Sequence, residues 1–307
     1  MLAISAVAGA QTFLSKPLRI IVPAVPGGGT DILARLLSPR LQEQFGQGII
    51  IENRAGAFTN IGTEYVARSA PDGYTVLIAT TPHAINPALF PRLPFDPIKD
   101  FTMVSLLART QTVLVVHPSL PVTNVKELIA LAKAKPGKLT AGTSGGNSAF
   151  LAVEMLKAQA KIDVLNIPYK GAGQALNDTV AGHVQFQVNT LLAALPFIQS
   201  GRLRAIAVCG AKRATSLPKV PTVAETLPGF ESSGWYALLG PAGMPRDVTL
   251  RLQDGYAKAL RTPEVTRRLA EMGVDVNAGS PDELAKVMPL EIKKWGELVR
   301  ISGAKAE

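Results

Sequence analysis

Short apolar runs alternate with helical patterns along almost the whole chain, and this alternation restricts the fold more than any single motif does. Strands separated by helices form parallel sheets that are covered on both faces. Nine strand-like runs are many for one open sheet with this connectivity. We therefore predict an α/β fold with two sheets, two lobes and a cleft between them. The predicted strands are 18–23, 49–52, 75–79, 112–117, 139–141, 164–167, 184–188, 203–209 and 235–239.

The helical segments are marked by apolar spacing and by proline and glycine at their ends. Five prolines between 82 and 97 predict a structured loop there rather than a helix. The last third of the chain, from about Pro241, is mostly helical and is expected to wrap one lobe. The predicted helices are 31–45, 61–69, 125–135, 149–157, 172–181, 193–200, 248–259, 263–272 and 281–301.

A glycine-rich loop joins the first predicted strand to the first helix. Three glycines let the backbone turn tightly and expose its N–H groups, and Thr30 or Asp31 is expected to cap the helix. The N–H groups of the first turn lack intrahelical partners and lie at the positive end of the helix dipole. The loop therefore predicts a site for a carboxylate, phosphate or sulfate. Its residues are Val25, Pro26, Gly27, Gly28, Gly29, Thr30 and Asp31.

Three further loops follow predicted strands and precede helices or turns. In α/β sheets, ligands bind at the carboxyl ends of strands. Hydroxyls, glycines and one imidazole in these loops therefore predict a cleft lined by helix N-termini. The residues that we expect there are Thr80, Thr81 and His83 in the second loop, Ser144, Gly145, Gly146 and Asn147 in the third, and Tyr169, Lys170 and Gly171 in the fourth.

The composition excludes several classes of function. The net charge of +9 suits anionic partners, but the basic residues are scattered and no basic run interleaves with aromatic residues, so nucleic acid is not expected. Three histidines and one cysteine form no metal motif, and nucleotide-binding glycine motifs are absent. We predict no cofactor. Cys209 lies in an apolar run and is expected to be a buried structural thiol.

The first ten residues are small and apolar and end in Ala8-Gly9-Ala10, a signal-peptidase pattern. The basic region that normally precedes such a stretch is missing. We interpret residues 1–10 as the remnant of a truncated signal peptide, with an apolar tail on a cytosolic protein as the alternative. No other stretch approaches the ~18 apolar residues that a membrane span needs. The mature protein is expected to be exported and to begin near Gln11.

The third loop also contains the pattern G-x-S-x-G, which is typical of the nucleophile elbow of serine hydrolases. A catalytic triad would need an acid and a histidine later in the chain. Only His183 follows Ser144, with Asp163 and Asp178 between them. Such a triad would be compressed into about forty residues, so we keep a serine hydrolase using Ser144 only as an alternative.

Together these motifs resemble the periplasmic solute receptors of tripartite tricarboxylate transporters, the Bug family. The resemblance covers about residues 16–300. The matching stretches are 16–23 and 26–31 around the first glycine loop, followed by 52–57, 70–75, 96–101, 168–171, 217–225 and 240–245.

The resemblance implies a two-lobed periplasmic-binding-protein fold of the Venus flytrap, type II-like class, without enzymatic activity. Lobe 1 would comprise residues 11–115 and 230–307, and lobe 2 residues 116–229. The ligand would be a dicarboxylate, tricarboxylate, acidic amino acid or aromatic acid, delivered by a monomeric receptor to transporter membrane subunits. A sensor that feeds a membrane kinase is the alternative output.

The family's two glycine loops grip a ligand carboxylate largely through backbone N–H groups and ordered water. By motif, Gly27–Asp31, Ser144 and Gly146 inherit that role, and the loops at 80–81 and 169–171 inherit ligand contact. The chain departs from the family where Phe58, Thr59 and Asn60 stand in place of two usual glycines, Phe150 in place of a histidine and Asn189 in place of an acidic residue. Phe58, Phe150 and Asn189 are where we expect the rest of the ligand to be selected.

Overall fold

The computed structural model describes residues 14–144 and 147–304, so the predicted leader remnant at 1–10 lies outside the described residues. The strands are β1 (Leu18–Val22), β2 (Ile49–Asn53), β3 (Thr75–Thr80), β4 (Phe101–Val116), β5 (Thr140–Ser144), β6 (Leu165–Tyr169), β7 (Phe186–Thr190), β8 (Arg204–Val208), β9 (Ser233–Pro241) and β10 (Val274–Val276).

The helices alternate with these strands, as the apolar pattern predicts. No helix in the described part of the chain is both long and apolar enough to cross a membrane. The helices are α1 (Gly29–Phe45), α2 (Asn60–Ala67), α3 (Pro82–Leu89), α4 (Val125–Ala134), α5 (Ser148–Ala160), α6 (Ala172–Ala181), α7 (Leu191–Gln199), α8 (Arg246–Leu260), α9 (Pro263–Glu271) and α10 (Pro281–Ser302).

The strands form two lobes that share β4. In the first lobe β1 pairs in parallel with β2 and β3, and β3 pairs antiparallel with β9. In the second lobe β5 pairs in parallel with β6 and β7. β4 joins them, because its first part pairs with β9 as far as Gln111 and its last part, from Thr112, pairs with β7 and β8. Two lobes with partly parallel sheets are thus confirmed.

The sequence pattern misses most of the connecting strand. β4 begins at Phe101, whereas the prediction begins near 112. The first part was missed because all but three of the sixteen residues of β4 are buried, so the strand lacks the alternation that marks a half-exposed strand. The sheets exchange partners between Gln111 and Thr112, a few residues from the predicted border at 115/116. The three-residue β10 was also not predicted.

The prediction of a loop over 82–97 is wrong for its first half, which forms α3. Pro82 takes the first helical position, where its missing N–H would have no intrahelical acceptor anyway. Pro87 removes one hydrogen bond close to the end of this eight-residue helix. Burial of one helix face, including Ile85 and Leu89, outweighs that loss.

His83 lies on α3 and its side chain is buried in the first lobe. Its ring stacks on Phe95 and meets Phe101 edge-on, with ring centroids 6.1 and 4.9 Å away. Its Nε2 lies 2.8 Å from the carbonyl oxygen of Pro97. Burial lowers the pKa of His83 to about 4, against the weaker opposing effect of that hydrogen bond.

The long helix α10 packs on α3 and β4 of the first lobe and also on α5 of the second, so it does not wrap one lobe alone. Glu291 on α10 anchors this packing. Its carboxylate accepts hydrogen bonds from Trp235 Nε1 at 3.0 Å and Trp295 Nε1 at 2.9 Å, and lies 3.3 Å from Arg109 Nη1. Both indoles are buried, so one carboxylate satisfies two buried donors.

We expect Glu291→Ala to lower the free energy of unfolding by about 2–4 kcal/mol, because it leaves two buried indole N–H groups without an acceptor. Urea unfolding followed by circular dichroism measures the change. Glu297→Ala, at an exposed position of the same helix, is the matched control and should shift stability by less than about 0.5 kcal/mol. Equal effects of the two substitutions would contradict this assignment.

We also expect stability to fall between about pH 6.5 and pH 4. In this window the unfolded chain protonates His83 while the folded chain, with its pKa near 4, does not, so lowering the pH favours unfolding by up to about 3 kcal/mol. His83→Gln should flatten the slope of unfolding free energy against pH. A wild-type slope in the His83→Gln variant would refute the prediction.

Candidate ligand-binding site

A cavity of about 530 Å³ lies between the two lobes, within the range of small-molecule sites. The carboxyl ends of β3 in the first lobe and of β5, β6 and β7 in the second all reach it, as the strand-end rule predicts. The start of β9 and Thr110 of β4 complete the wall. The cavity is therefore built at the connection between the sheets.

Four well-formed helices begin at this cavity. Its lining includes Gly28–Thr30 at the start of α1, Asn147–Ala149 at the start of α5, Gly171 and Ala172 at the start of α6, and Thr190 before α7. The first N–H groups of a helix lack intrahelical acceptors and lie at the positive end of its dipole. Four such ends, one from the first lobe and three from the second, favour an anion.

The first glycine loop is arranged differently from its prediction. Gly28 is the N-cap of α1, so Thr30 and Asp31 lie inside the first turn and do not cap it. Asp31 folds the loop back: its carboxylate accepts from Gly27 N at 3.0 Å, Arg35 Nε at 2.9 Å and Asn53 Nδ2 at 3.0 Å. Burial opposes ionisation, but these hydrogen bonds outweigh it and hold the pKa of Asp31 below its usual range. The carboxylate of Asp31 is thus already hydrogen-bonded to Gly27, Arg35 and Asn53.

Gly29 allows a close approach of three elements. A Cβ at this position would lie 2.6 Å from Tyr236 Oη on β9 and 3.1 Å from Thr190 Oγ1 before α7. The absence of a side chain at Gly29 therefore keeps two hydroxyls beside the first turn of α1. All three residues line the cavity.

The hydroxyl of Tyr236 is buried and makes no hydrogen bond to any described residue. Thr110 lies nearby, but its hydroxyl donates to the carbonyl of Gln111 at 3.3 Å instead. Burial raises the pKa of Tyr236 above its usual range, so the group remains a neutral phenol and a hydrogen-bond donor. A buried donor without a partner costs about 1–3 kcal/mol. Tyr236 Oη is therefore suited to donate to a bound group in the cavity.

The serine-containing loop is fixed by its own amide. Asn147 caps α5 by accepting from Phe150 N at 2.8 Å, and its Nδ2 donates to Ser144 Oγ at 2.9 Å. An amide cannot take a proton from a serine, so this pairing does not activate Ser144 as a nucleophile. His183 instead lies 3.5 Å from Asp178 with its side chain largely exposed. Gly145 and Gly146 lie outside the described residues.

The fourth loop, in the second lobe, contacts the first loop, in the first lobe. A side chain at Gly171 would collide with Val25 of the first loop, so the starts of α1 and α6 touch here. Tyr169 Oη donates to Asp178 Oδ2 at 2.7 Å, and burial together with that carboxylate raises the pKa of Tyr169 to about 12. Asn189 supports the same region, since its Nδ2 donates to Ala172 O at 3.1 Å and its Oδ1 accepts from Thr190 N at 2.7 Å.

A strained turn before α2 forms another part of the wall. Ala57, Phe58 and Thr59 have φ angles of 44°, 58° and 76°, in the left-handed region that costs non-glycine residues about 1–2 kcal/mol each. Asn86 of α3 stabilises the turn by donating to Phe58 O at 2.8 Å and to Asn60 Oδ1 at 2.7 Å. Phe58 is half-buried and faces the cavity.

Most of the predicted site residues meet at this cavity. Pro26, Gly27, Asp31 and His83 are not in its lining, and Phe150 is buried outside it. The predicted ligand contact of His83 is not supported, because apolar packing turns its ring into the first lobe. The predicted residues that line the cavity are Val25, Gly28, Gly29, Thr30, Thr80, Thr81, Ser144, Asn147, Tyr169, Lys170, Gly171 and Asn189.

The largest omission from the prediction is the wall provided by β9 and by the turn before α2. An aromatic pair at the start of a strand predicts core packing, with a place in the cleft wall as the alternative for one of the two. Trp235 and Tyr236 are both buried and both border the cavity. The replacement of a family glycine by Phe58 was the available signal for the turn. The missed lining residues are Pro23, Ala24, 55–57, Thr59, Pro82, Thr110, Ser148, Ala149, Ala172, Thr190 and Gly234.

The lining is almost free of ionised groups. Among the described residues that line the cavity, Lys170 is the one cation, it is exposed, and no acidic side chain is present. Ten lining residues carry a hydroxyl: Thr30, Thr59, Thr80, Thr81, Thr110, Ser144, Ser148, Tyr169, Thr190 and Tyr236. Neutral donors and helix starts are therefore what this cavity offers to a ligand.

Comparison with known proteins adds to this geometry. Protein BugT of Bordetella pertussis is 36% identical over 306 residues, which cover 98% of this chain and 94% of BugT. The solved structure "R. palustris Rpa4515 with adipate" matches with a TM-score of 0.91 at 36% identity, over 94% of this chain and 98% of that one. MatC (Rpa3494) from Rhodopseudomonas palustris with bound malate matches with a TM-score of 0.88 at 30% identity, over 93% and 99%.

These likenesses confirm the two-lobed periplasmic-binding-protein fold. The family and its structural neighbours are solute-binding proteins rather than enzymes, which excludes the serine hydrolase alternative at Ser144. Residues 33–303 match the family described as "Tripartite tricarboxylate transporter family receptor". The chain belongs to that family of receptors, as its resemblance to the Bug proteins predicts.

Proposed function

We propose that this chain is a periplasmic receptor that binds a small carboxylate between its lobes and delivers it to the membrane subunits of a tripartite tricarboxylate-type transporter. The observation that carries the proposal is the meeting of four helix starts with the unpartnered hydroxyl of Tyr236 in one interlobe cavity. The bound adipate and malate of the two similar structures support a carboxylate as the ligand class.

Recognition of the carboxylate is assigned to neutral donors. The starts of α1 and α7 meet at Gly29 and Thr190, where Tyr236 Oη adds a donor. In a site shielded from water, such dipoles stabilise an anion without the desolvation cost of burying a second charge. Because these donors are fixed before the ligand arrives, little ordering is needed on binding.

In this proposal, the connection between the lobes allows them to close on the ligand. The lobes share β4, whose hydrogen-bonded partners change from one sheet to the other between Gln111 and Thr112. A small change in backbone angles here moves one lobe relative to the other, as in other hinge closures. The contact between Gly171 and Val25 closes one side of the cavity. We propose that the monomeric receptor presents this closed form to the transporter.

A thermal-shift screen tests the function directly. A carboxylate present at one hundred times its Kd should stabilise the protein by about 2.7 kcal/mol, which raises Tm by about 4 °C for a chain of this size. The panel comprises dicarboxylates, tricarboxylates, acidic amino acids and aromatic acids, with the matching amides as controls. If no carboxylate raises Tm, the proposed function is wrong.

Gly29→Ala tests the position of the carboxylate. The new Cβ would lie 2.6 Å from Tyr236 Oη and must displace that hydroxyl or the start of α1, so we expect at least a tenfold rise in Kd for any ligand found in the screen. Gly173→Ala is the matched control, since its Cβ meets nothing closer than 3.9 Å and the residue does not line the cavity. Calorimetric titration provides both values; an unchanged Kd in the Gly29 variant would place the carboxylate elsewhere.

A further inference from the structure

The turn before α2 keeps an aromatic side chain in a costly conformation at the edge of the ligand cavity. Gly56 has φ 129°, and the next three residues, which are not glycine, are also at positive φ. A bulky residue such as Phe58 in this region is an outlier. A glycine would adopt the same angles without strain. Strain of this kind persists where surrounding structure enforces it, often at ligand sites.

The surroundings of Phe58 fix its backbone and leave its ring beside the cavity. Its carbonyl accepts a hydrogen bond from Asn86, a fully buried side chain of α3. Its ring meets the ring of Phe90 edge-on, with centroids 5.2 Å apart. Phe58 nevertheless stays half-buried and lines the cavity, whereas a core residue such as Phe186 is completely buried.

The described lining at the same end of the cavity offers hydroxyls, such as that of Thr59, but no charged side chain. α3 begins with Pro82, which has no N–H to offer, and Pro82 lies one turn before Asn86 on the same face of that helix. Ala55 and Ala57 add apolar surface there. The one lining cation among the described residues, Lys170, follows β6 in the other lobe. A carboxylate placed against Phe58 would lose its hydration without gaining a charged partner.

We infer that Phe58 is the specificity-determining residue of this site and that it selects monocarboxylic acids with a flat apolar body, such as benzoates, over aliphatic dicarboxylates. The inference rests on the proposed function, which places the carboxylate at the helix starts near Gly29. The ring of such a ligand then packs against Phe58 in the offset or edge-to-face arrangement that aromatic pairs prefer. The ligand inferred for this chain therefore differs from the adipate and malate that the two similar structures hold.

Calorimetric titration of the wild-type chain and of Phe58→Gly with benzoate and with adipate tests the inference. The wild-type chain is expected to bind benzoate at least tenfold more tightly than adipate. Phe58→Gly should weaken benzoate at least tenfold and change adipate less than threefold. Phe58→Leu, which keeps an apolar group without the aromatic face, should have an affinity for benzoate between those of the wild-type chain and of Phe58→Gly.

Lys161→Gly separates relief of strain from ligand selection. Lys161 is another residue at positive φ, 52°, but it is exposed at the end of α5 and does not line the cavity. This variant should raise Tm and leave the affinity for both acids unchanged.

The possible outcomes distinguish the two proposals. A wild-type preference for adipate, or a ratio of the two affinities that Phe58→Gly leaves within threefold, would overturn the role of Phe58 while the carboxylate site stands. Binding of neither acid, nor of any other carboxylate in the thermal-shift panel, would overturn the proposed function and this inference with it.

Discussion

The antiparallel pairing of β4 with β9 is the interaction on which the rest of the structure depends. It runs from Phe101 opposite Pro241 to Gln111 opposite Ser233, and β4 then continues into the second sheet. The pair joins the lobes and at the same time places Thr110, Gly234 and Tyr236 in the wall of the cavity. The connection between the lobes and part of the cavity wall are thus made of the same backbone, so under the proposed function ligand contacts and lobe movement act on one element.

The cavity illustrates how an anion site can be built without buried cations. The hydroxyl of Thr112 donates to Ser232 O, and the hydroxyl of Ser232 in turn donates to Ser148 O at the start of α5. Bonds of this kind hold the helix starts at fixed positions around the cavity. Under the proposed function the direction of these donors carries the recognition of the carboxylate. A change of side chain elsewhere in the lining, as at Phe58, would then alter the ligand without altering the proposed anion site.

The sequence predicted the features that depend on local chemistry. Glycine, hydroxyl and strand-end patterns located four loops, and residues of all four border the cavity. The prediction failed where distant packing decides. The ring of His83 turns inward because Phe95 and Phe101 offer it an apolar site, and Asp31 turns back because Asn53 and Arg35 hold it. β9 joins the cavity from more than two hundred residues along the chain, a contact that no local pattern encodes.

The shared carboxylate of Glu291 has a spectroscopic consequence. The chain contains two tryptophans, and both donate their indole N–H to this one side chain. One indole borders the cavity and the other lies on α10, which touches both lobes. All of the intrinsic indole fluorescence of the protein therefore originates beside the connection between the lobes. The two indoles therefore provide an intrinsic optical probe of the cavity and of the connection between the lobes, without any attached label.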